Sequence, residues 1–178
     1  MQSLPEDYSI TRSARDEIPA LIAIDLAAGG LFADTGLLSE EALADHVPED
    51  VFEHALDGND LLVARTPKGQ PVGFALTSQR GGTLYLDQIS VHPDHGRKGL
   101  GRALIARVAD EARTRKLRCI TLSTFRNLAW NGPYYRSLGF REISKAKMAD
   151  WMLDLERVQA ASLDVSQRCF MIRRVKWL

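Results

Sequence analysis

"LYLDQISVHPDHGRKGLGRALIARVADEA", residues 84–112, decides how this chain is read. Apolar and polar residues alternate from Leu84 to Val91, the pattern of a half-buried strand. Pro93 ends it. Gly96, Gly99 and Gly101 follow within six residues, and then Leu104, Ile105, Val108, Ala109 and Ala112 recur at helical spacing. A strand therefore becomes a helix through a turn that also carries Arg97, Lys98 and Arg102. The start of a helix leaves backbone N–H groups unpaired and is the positive end of the helix dipole. Glycines there permit positive φ and let an anion approach the amides. A pyrophosphate fits such a turn. A plain tight turn with its basic residues in water fits as well, and these residues alone do not choose between the two.

Two familiar phosphate-binding patterns fail at this turn. "GRKGLGRA" approaches G-x-x-x-x-G-K-[ST], but Arg102 stands in place of the lysine and Ala103 in place of the magnesium-holding hydroxyl. This disfavours a nucleotide hydrolase. A dinucleotide fingerprint needs a parallel βαβ unit, whereas the strand ahead of this turn closes a meander.

Outward from the turn, "DLLVART-PKGQ-PVGFALTSQ" (60–79) reads as a hairpin, with "GTLYLDQISVHP" (82–93) as the third strand. Before it, "YSITRSA" (8–14) reads as a strand. A helix then starts at Asp16 with Ile18, Leu21, Ile22 and Leu26 on one face. "GGLFADTG" (29–36) breaks that helix, Ser39 caps the next, and Pro48 interrupts it on the way to Leu56. After the turn come a strand at "LRCITLSTF", a short helix at "NGPYYRSL", a strand at "GFREIS", an amphipathic helix at "MADWMLDLERVQAASL" and a closing strand at "RCFMIRRVKW". No repeat or linker interrupts this order. It predicts a mixed α/β sheet in one domain spanning 1–178.

Composition sets the outer limits. The 178 residues are 45% apolar and 26% charged, with 23 acidic and 23 basic side chains, so any attraction for anions must be local. Neither nucleic acid nor membrane is expected as a partner. Cys119 and Cys169 sit in strand-like apolar runs and read as buried free thiols, without metal-ligand spacing. "MQSLPEDYSI" lacks the features of a signal peptide, and the expected compartment is the cytoplasm.

Three spaced elements, "ISVHPDHGRKGLGRALI", "ITLSTF" and "NGPYYRSLGF", together resemble the GNAT superfamily of N-acetyltransferases. Its pattern is a strand ending in V-x-P, [QR]-x-x-G-x-[GA] opening a helix, a second strand, and a tyrosine four residues before Gly-Phe. Gly99 and Gly101 match the motif glycines, and Tyr135 matches the tyrosine ahead of Gly139-Phe140. Gly96 stands where Gln or Arg is usual, which moves the side-chain contact to Arg97. The "HGRKGLG" and "AWNGPYY" forms are similar to those of a bacterial subgroup with mostly unassigned substrates.

The resemblance implies a mostly antiparallel sheet, flanked by helices and splayed at its central strands. It implies acetyl-CoA as co-substrate, without a metal. The pyrophosphate would rest on the amides of Gly96, Arg97, Lys98, Gly99, Leu100, Gly101 and Arg102, and the pantetheine arm would pair with the main chain of Ile89, Ser90 and Val91. Tyr135 is the candidate acid for the leaving thiolate, with a core aromatic as the alternative and Tyr134 as competitor. Asp87 shares a strand face with Ile89 and Val91 and is the candidate base, or else a surface ion-pair partner. Asn131 binds cofactor or caps the helix at Pro133. His92 and His95 read as solvated turn residues.

"GGLFADTGLL" and the segment 148–163 with Trp151 are candidate acceptor walls, the latter also a candidate dimer surface. The acceptor is expected to be a small-molecule or peptide amine. A non-catalytic acyl-CoA-binding module or sensor is the competing reading.

Overall fold

The computed structural model describes residues 4, 5 and 7–176. The readings that touch residues 1–3, Glu6, Trp177 and Leu178 lie outside it. The strands are β1 (Ser9–Arg12), β2 (Leu61–Arg65), β3 (Pro71–Arg80), β4 (Thr83–Val91), β5 (Cys119–Phe125), β6 (Arg141–Glu142) and β7 (Arg168–Arg174). The helices are α1 (Ile18–Gly29), α2 (Glu40–Leu43), α3 (Glu49–Asp57), α4 (Leu100–Thr114), α5 (Gly132–Ser137) and α6 (Asp150–Gln159). The strands form one sheet in the order β1-β2-β3-β4-β5-β7-β6. β4 and β5 run parallel, while β1–β2, β2–β3, β5–β7 and β6–β7 are antiparallel. This is the mixed, mostly antiparallel sheet with flanking helices that the sequence predicts.

The chain divides into two compact units. The first comprises Met1–Ser78 and Asp87–Val108, the second Gln79–Leu86 and Ala109–Leu178. In the first, Ile18, Leu21 and Ile24 of α1 and Phe52 and Ala55 of α3 pack with Leu61, Val63, Phe74 and Leu76 of β2 and β3. The apolar face of α1 is rotated from the expected one. Ile24 and Asp25 are buried, whereas Leu26 is among the exposed large apolar residues, because Asp25 is drawn inward by hydrogen bonds described below. Glycines 29 and 30 do not break the helix at once. The chain continues as a 3₁₀ turn over Gly30–Phe32. Ser39 caps α2 as expected, accepting the Ala42 N–H at 3.2 Å, and α3 begins just after Pro48.

In the second unit, β5 pairs with β7 along its whole length, from Cys119↔Arg174 to Phe125↔Arg168. Tyr85, Met152 and Phe170 form the centre of its apolar cluster, with Trp151 and Leu155 packed against them. The core stripe of α4 is as the spacing requires: Leu104, Ile105, Val108, Ala109 and Ala112 are all buried. Both cysteines are free, but only Cys169 is buried; Cys119 is half-buried at the start of β5. Among the described residues, no helix is long and apolar enough to cross a membrane, and no group of His, Cys, Asp and Glu is placed to hold a metal ion.

Candidate active site

The first unit contains the glycine turn. β4 ends at Val91, and Pro93–His95 form a 3₁₀ turn. The Gly96 N–H donates to the Pro93 carbonyl at 3.0 Å, so this amide is already spent. Arg97 and Gly99 then take left-handed φ values of 57° and 83°, on either side of Lys98. The first α4 bond that reaches back into the turn is Ala103 N–H to the Gly99 carbonyl, 3.0 Å. Among the described residues, no carbonyl accepts the N–H groups of residues 97–102. Left-handed residues set among ordinary ones curl successive N–H groups toward a common side, which is how a backbone builds an anion nest. A Cβ added at Gly99 would meet nothing within 4 Å, so the space beside it is open. The Leu100 side chain is 1% exposed and pins the turn to the core, while Arg97, Lys98 and Arg102 are exposed around it.

Sequence reasoning placed His95 in solvent and Lys98 beside the anion alone. Instead, Tyr8 and His95 Nδ1 share a hydrogen bond of 2.9 Å, and Lys98 Nζ donates to the Tyr8 hydroxyl at 3.3 Å. Burial, then the charges of Lys98 and His92, lower the His95 pKa. The segment leading into β1 is thus tied to the turn.

Asp25 was not recognised in the sequence. Its Oδ1 accepts the Ser90 hydroxyl at 2.7 Å and the Gln88 amide at 2.7 Å, and its Oδ2 accepts the Val47 N–H at 2.8 Å. One buried carboxylate therefore links α1, the segment before α3 and the second half of β4. Its only sequence signal is an acid at a position the helical pattern assigns to the core, four residues after Leu21. The Ser90 side chain is committed to this link. Ile89 and Val91 are half-buried beside it, and Asp87 is half-buried two residues before Ile89 on the same strand face. β4 pairs in parallel with β5 from Leu84↔Ile120 to Leu86↔Leu122.

The second unit contains Tyr135. α5 starts at Gly132, where any Cβ would collide with the Arg126 carbonyl, so only glycine lets α5 begin this close to the end of β5. Tyr135 is buried and packs edge-on against Tyr134 and Phe140, with centroids 5.5 and 5.7 Å away. Burial raises its pKa and the neighbouring Tyr134 adds to that, against a smaller opposing effect of Arg168. The phenol is therefore protonated at neutral pH. Asn131 occupies the N-cap position, but its side chain makes no cap. Its Oδ1 accepts the Thr124 hydroxyl at 2.6 Å instead, which corrects the capping alternative. Trp151 packs edge-on against Tyr85 and Phe170, at 5.3 and 6.1 Å, and a Cβ at Gly81 would strike its indole. It is a packing residue within the second unit.

Comparison with known proteins follows the same lines. The profile of the Acetyltransferase (GNAT) family matches residues 32–140. Thialysine N-epsilon-acetyltransferase of Sus scrofa is 31% identical over 133 residues, covering 69% of this chain and 76% of that protein. Mycothiol acetyltransferase of Clavibacter michiganensis is 28% identical over 139 residues, covering 78% of this chain; the chain spans 44% of that relative's length. The solved structure of the paia N-acetyltransferase of Thermoplasma acidophilum in complex with coenzyme A superposes with a TM-score of 0.72 at 14% identity, over 94% of this chain and 98% of that one.

Proposed function

Because the chain belongs to the GNAT acetyltransferase family, we propose that residues 1–178 act as one domain that moves an acetyl group from acetyl-CoA directly to a primary amine of a small molecule or peptide. The observation that carries this reading is the run of N–H groups from 97 to 102, which no carbonyl of the described residues takes, curled by left-handed Arg97 and Gly99. A diphosphate supplies the acceptors those amides lack, and Arg97, Lys98 and Arg102 add positive charge beside it. Gly96 contributes conformation and not a donor. The coenzyme A complex of the Thermoplasma acidophilum protein agrees with the same ligand class here.

In this reading the pantetheine arm runs along the main chain of Ile89, Ser90 and Val91, with Asn131 as a further cofactor contact. The thioester carbonyl is polarised by the N–H near Val91. The neutral amine attacks the carbonyl carbon, the C–S bond breaks, and the acetyl group ends on nitrogen. Asp87 takes the proton the amine loses, and Tyr135 gives its phenolic proton to the departing thiolate. A phenol kept protonated by burial suits that second role.

The deciding measurement is thiol release from acetyl-CoA across a panel of amines, with Tyr135→Phe as control. We expect turnover on at least one amine. Tyr135→Phe should lower kcat about 100-fold and leave the KM for acetyl-CoA nearly unchanged. Asp87→Asn should abolish the rising limb of the kcat/KM profile against pH, the limb that reports the base. Acetyl-CoA binding with no transfer to any amine would identify a non-catalytic acyl-CoA module instead.

A further inference from the structure

Arg168, the first residue of β7, is an arginine without an anion. Its register partner on β5 is Phe125, and the guanidinium lies over that ring, Cζ 4.8 Å from the centroid. Nη2 donates to the Ser123 hydroxyl at 3.1 Å, and that hydroxyl is itself turned toward Gln159 Oε1 at 3.3 Å. Nε is enclosed by protein and has no hydrogen-bond partner. Nη1 makes no hydrogen bond among the described residues and is not enclosed, so one edge of the fork is open. No carboxylate among the described residues pairs with this cation.

Other arginines of the chain are treated differently. Arg65, also half-buried, holds both oxygens of Glu17, and Arg126 holds Glu142 at 2.9 Å. Arg173, half-buried over the Phe140 ring, donates to the Leu138 carbonyl at 3.2 Å.

A half-buried cation without an anion is costly, and a cation–π contact recovers only about 0.5–2 kcal/mol of that. An arginine serving only to fill space would extend its head into water and keep its stem on the ring. Arg168 instead keeps its Nε enclosed and unpartnered with Nη1 open, which is the state of a site that awaits an anion. Its surroundings match that role: the Phe125 ring, the Ser123 hydroxyl and the Gln159 amide hold the guanidinium in place with Nη1 open, and guanidinium geometry suits a carboxylate. The guanidinium lies over Phe125 at the end of β5, and α5, which carries Tyr135, begins against the Phe125 and Arg126 carbonyls. The positive charge of Arg168 acts on the Tyr135 phenol, within the same unit.

We propose that Arg168 is a binding residue for a carboxylate carried by the amine acceptor, which makes the acceptor an amino acid or a similar amino acid-like amine. This rests on the acetyltransferase reading for the word acceptor, though not for the anion site itself. It also disfavours polyamines, whose extra ammonium groups would meet a like charge.

The test has two parts. The first needs no turnover. In the full chain labelled with ¹⁵N, the Arg168 Nε–Hε resonance is assigned by its loss in Arg168→Lys, a variant that keeps a cation and whose fold is checked by its remaining spectrum. Acetate then replaces chloride at constant ionic strength. The Arg168 resonance should move and saturate, and that of Arg65 should not. A stationary Arg168 resonance would overturn the site, and a response to inorganic phosphate but not acetate would overturn the carboxylate in favour of a phosphoryl group.

The second part compares amino acids with their uncharged amides as acceptors. The acid should be preferred by about 10-fold or more in kcat/KM, mainly through KM, and Arg168→Gln should erase the preference. Equal use of acid and amide by the wild type, or a preference that survives Arg168→Gln, would overturn the acceptor assignment. Transfer to no amine at all would remove the acetyltransferase reading, and with it the acceptor assignment, while the acetate titration still decides the anion site.

Discussion

The unit containing the glycine turn and the unit containing Tyr135 and Arg168 offer two different kinds of chemistry. In the proposed reading the first unit holds the cofactor through main-chain amides, and its side chains set φ, anchor the turn or, at Asp87, take a proton. In the second, the working groups are enclosed side chains whose properties come from burial: a phenol kept protonated and a guanidinium kept without an anion. Main-chain chemistry tolerates changes of side chain but not of backbone conformation. Side-chain chemistry has the reverse sensitivity. The two units should therefore respond to mutation in opposite ways.

The largest effect that separates them is Gly99→Leu. At φ 83° an L side chain is strained, and its Cβ would project onto the open side of the turn. Coenzyme A affinity should fall about 100-fold, the loss of roughly two charge-assisted hydrogen bonds. Arg97→Ala and Lys98→Ala, which remove charge and leave the amides, should each cost about 10-fold or less. Calorimetric titration with coenzyme A checks both. If the alanine variants lost more affinity than Gly99→Leu, the turn would bind by side chains and the contrast between the units would disappear.

The same contrast explains what the sequence disclosed. The turn is legible because its cause is local: Pro93, the glycines and the α4 stripe stand within twenty residues, and each dictates backbone geometry by itself. The hairpin of β2 and β3, the Ser39 cap and the Pro48 break are legible for the same reason. The spent Gly96 amide was not, because the 3₁₀ turn over Pro93–His95 depends on how the chain leaves β4. The inward turn of Asp25 depends on Val47, Gln88 and Ser90, the last two 63 and 65 residues away. Arg168 reads in the sequence as an ordinary strand-end charge. Only the pairing of β7 with β5 brings Ser123 and Phe125 to it. Tyr135 was recognised by its spacing before Gly139-Phe140, but its burial, and so its protonation, belongs to packing.

Asp25 tests whether the first unit also relies on side chains beneath its backbone chemistry. Asp25→Ala would leave the Ser90 hydroxyl, the Gln88 amide and the Val47 N–H without their acceptor. An unmet buried polar group costs about 1–3 kcal/mol, and some of these will find water, so about 3 kcal/mol in total is expected. For a chain of this size that lowers Tm by about 6–12 °C. Coenzyme A affinity at a temperature well below Tm should fall only a few-fold, because the amides of 97–102 are held by Leu100 and not by Asp25. Thermal melts and titrations on the same samples separate the two quantities. A collapse of affinity without loss of Tm would place Asp25 among the ligand-binding groups.

The smallest effect concerns the Glu17–Arg65 pair, also in the first unit, and it follows pH. Arg65 holds both Glu17 oxygens, with Nη2 to Oε2 at 2.8 Å, while the Ala14 N–H donates to Oε2 at 2.8 Å. The Arg65 hydrogen bonds, assisted by that N–H and by the Arg65 charge, overcome the opposing effect of burial and hold the Glu17 carboxyl at about 2, against an ordinary 4.5. A carboxyl whose pKa is lower folded than unfolded stabilises the fold fully above the unfolded value. The contribution is lost as pH falls through the folded value. The window is therefore from about 4.5 down to about 2. Above it, Glu17→Gln should cost on the order of 1 kcal/mol, since the pair is only partly shielded from water. Within it, the difference between wild type and variant should shrink toward zero, because protonation removes from the wild type what the mutation has already removed. Urea unfolding at a series of pH values measures that difference directly. A gap that stayed constant down to pH 2 would mean that the ion pair contributes shape and not charge, and the first unit would then owe its acid response to groups elsewhere.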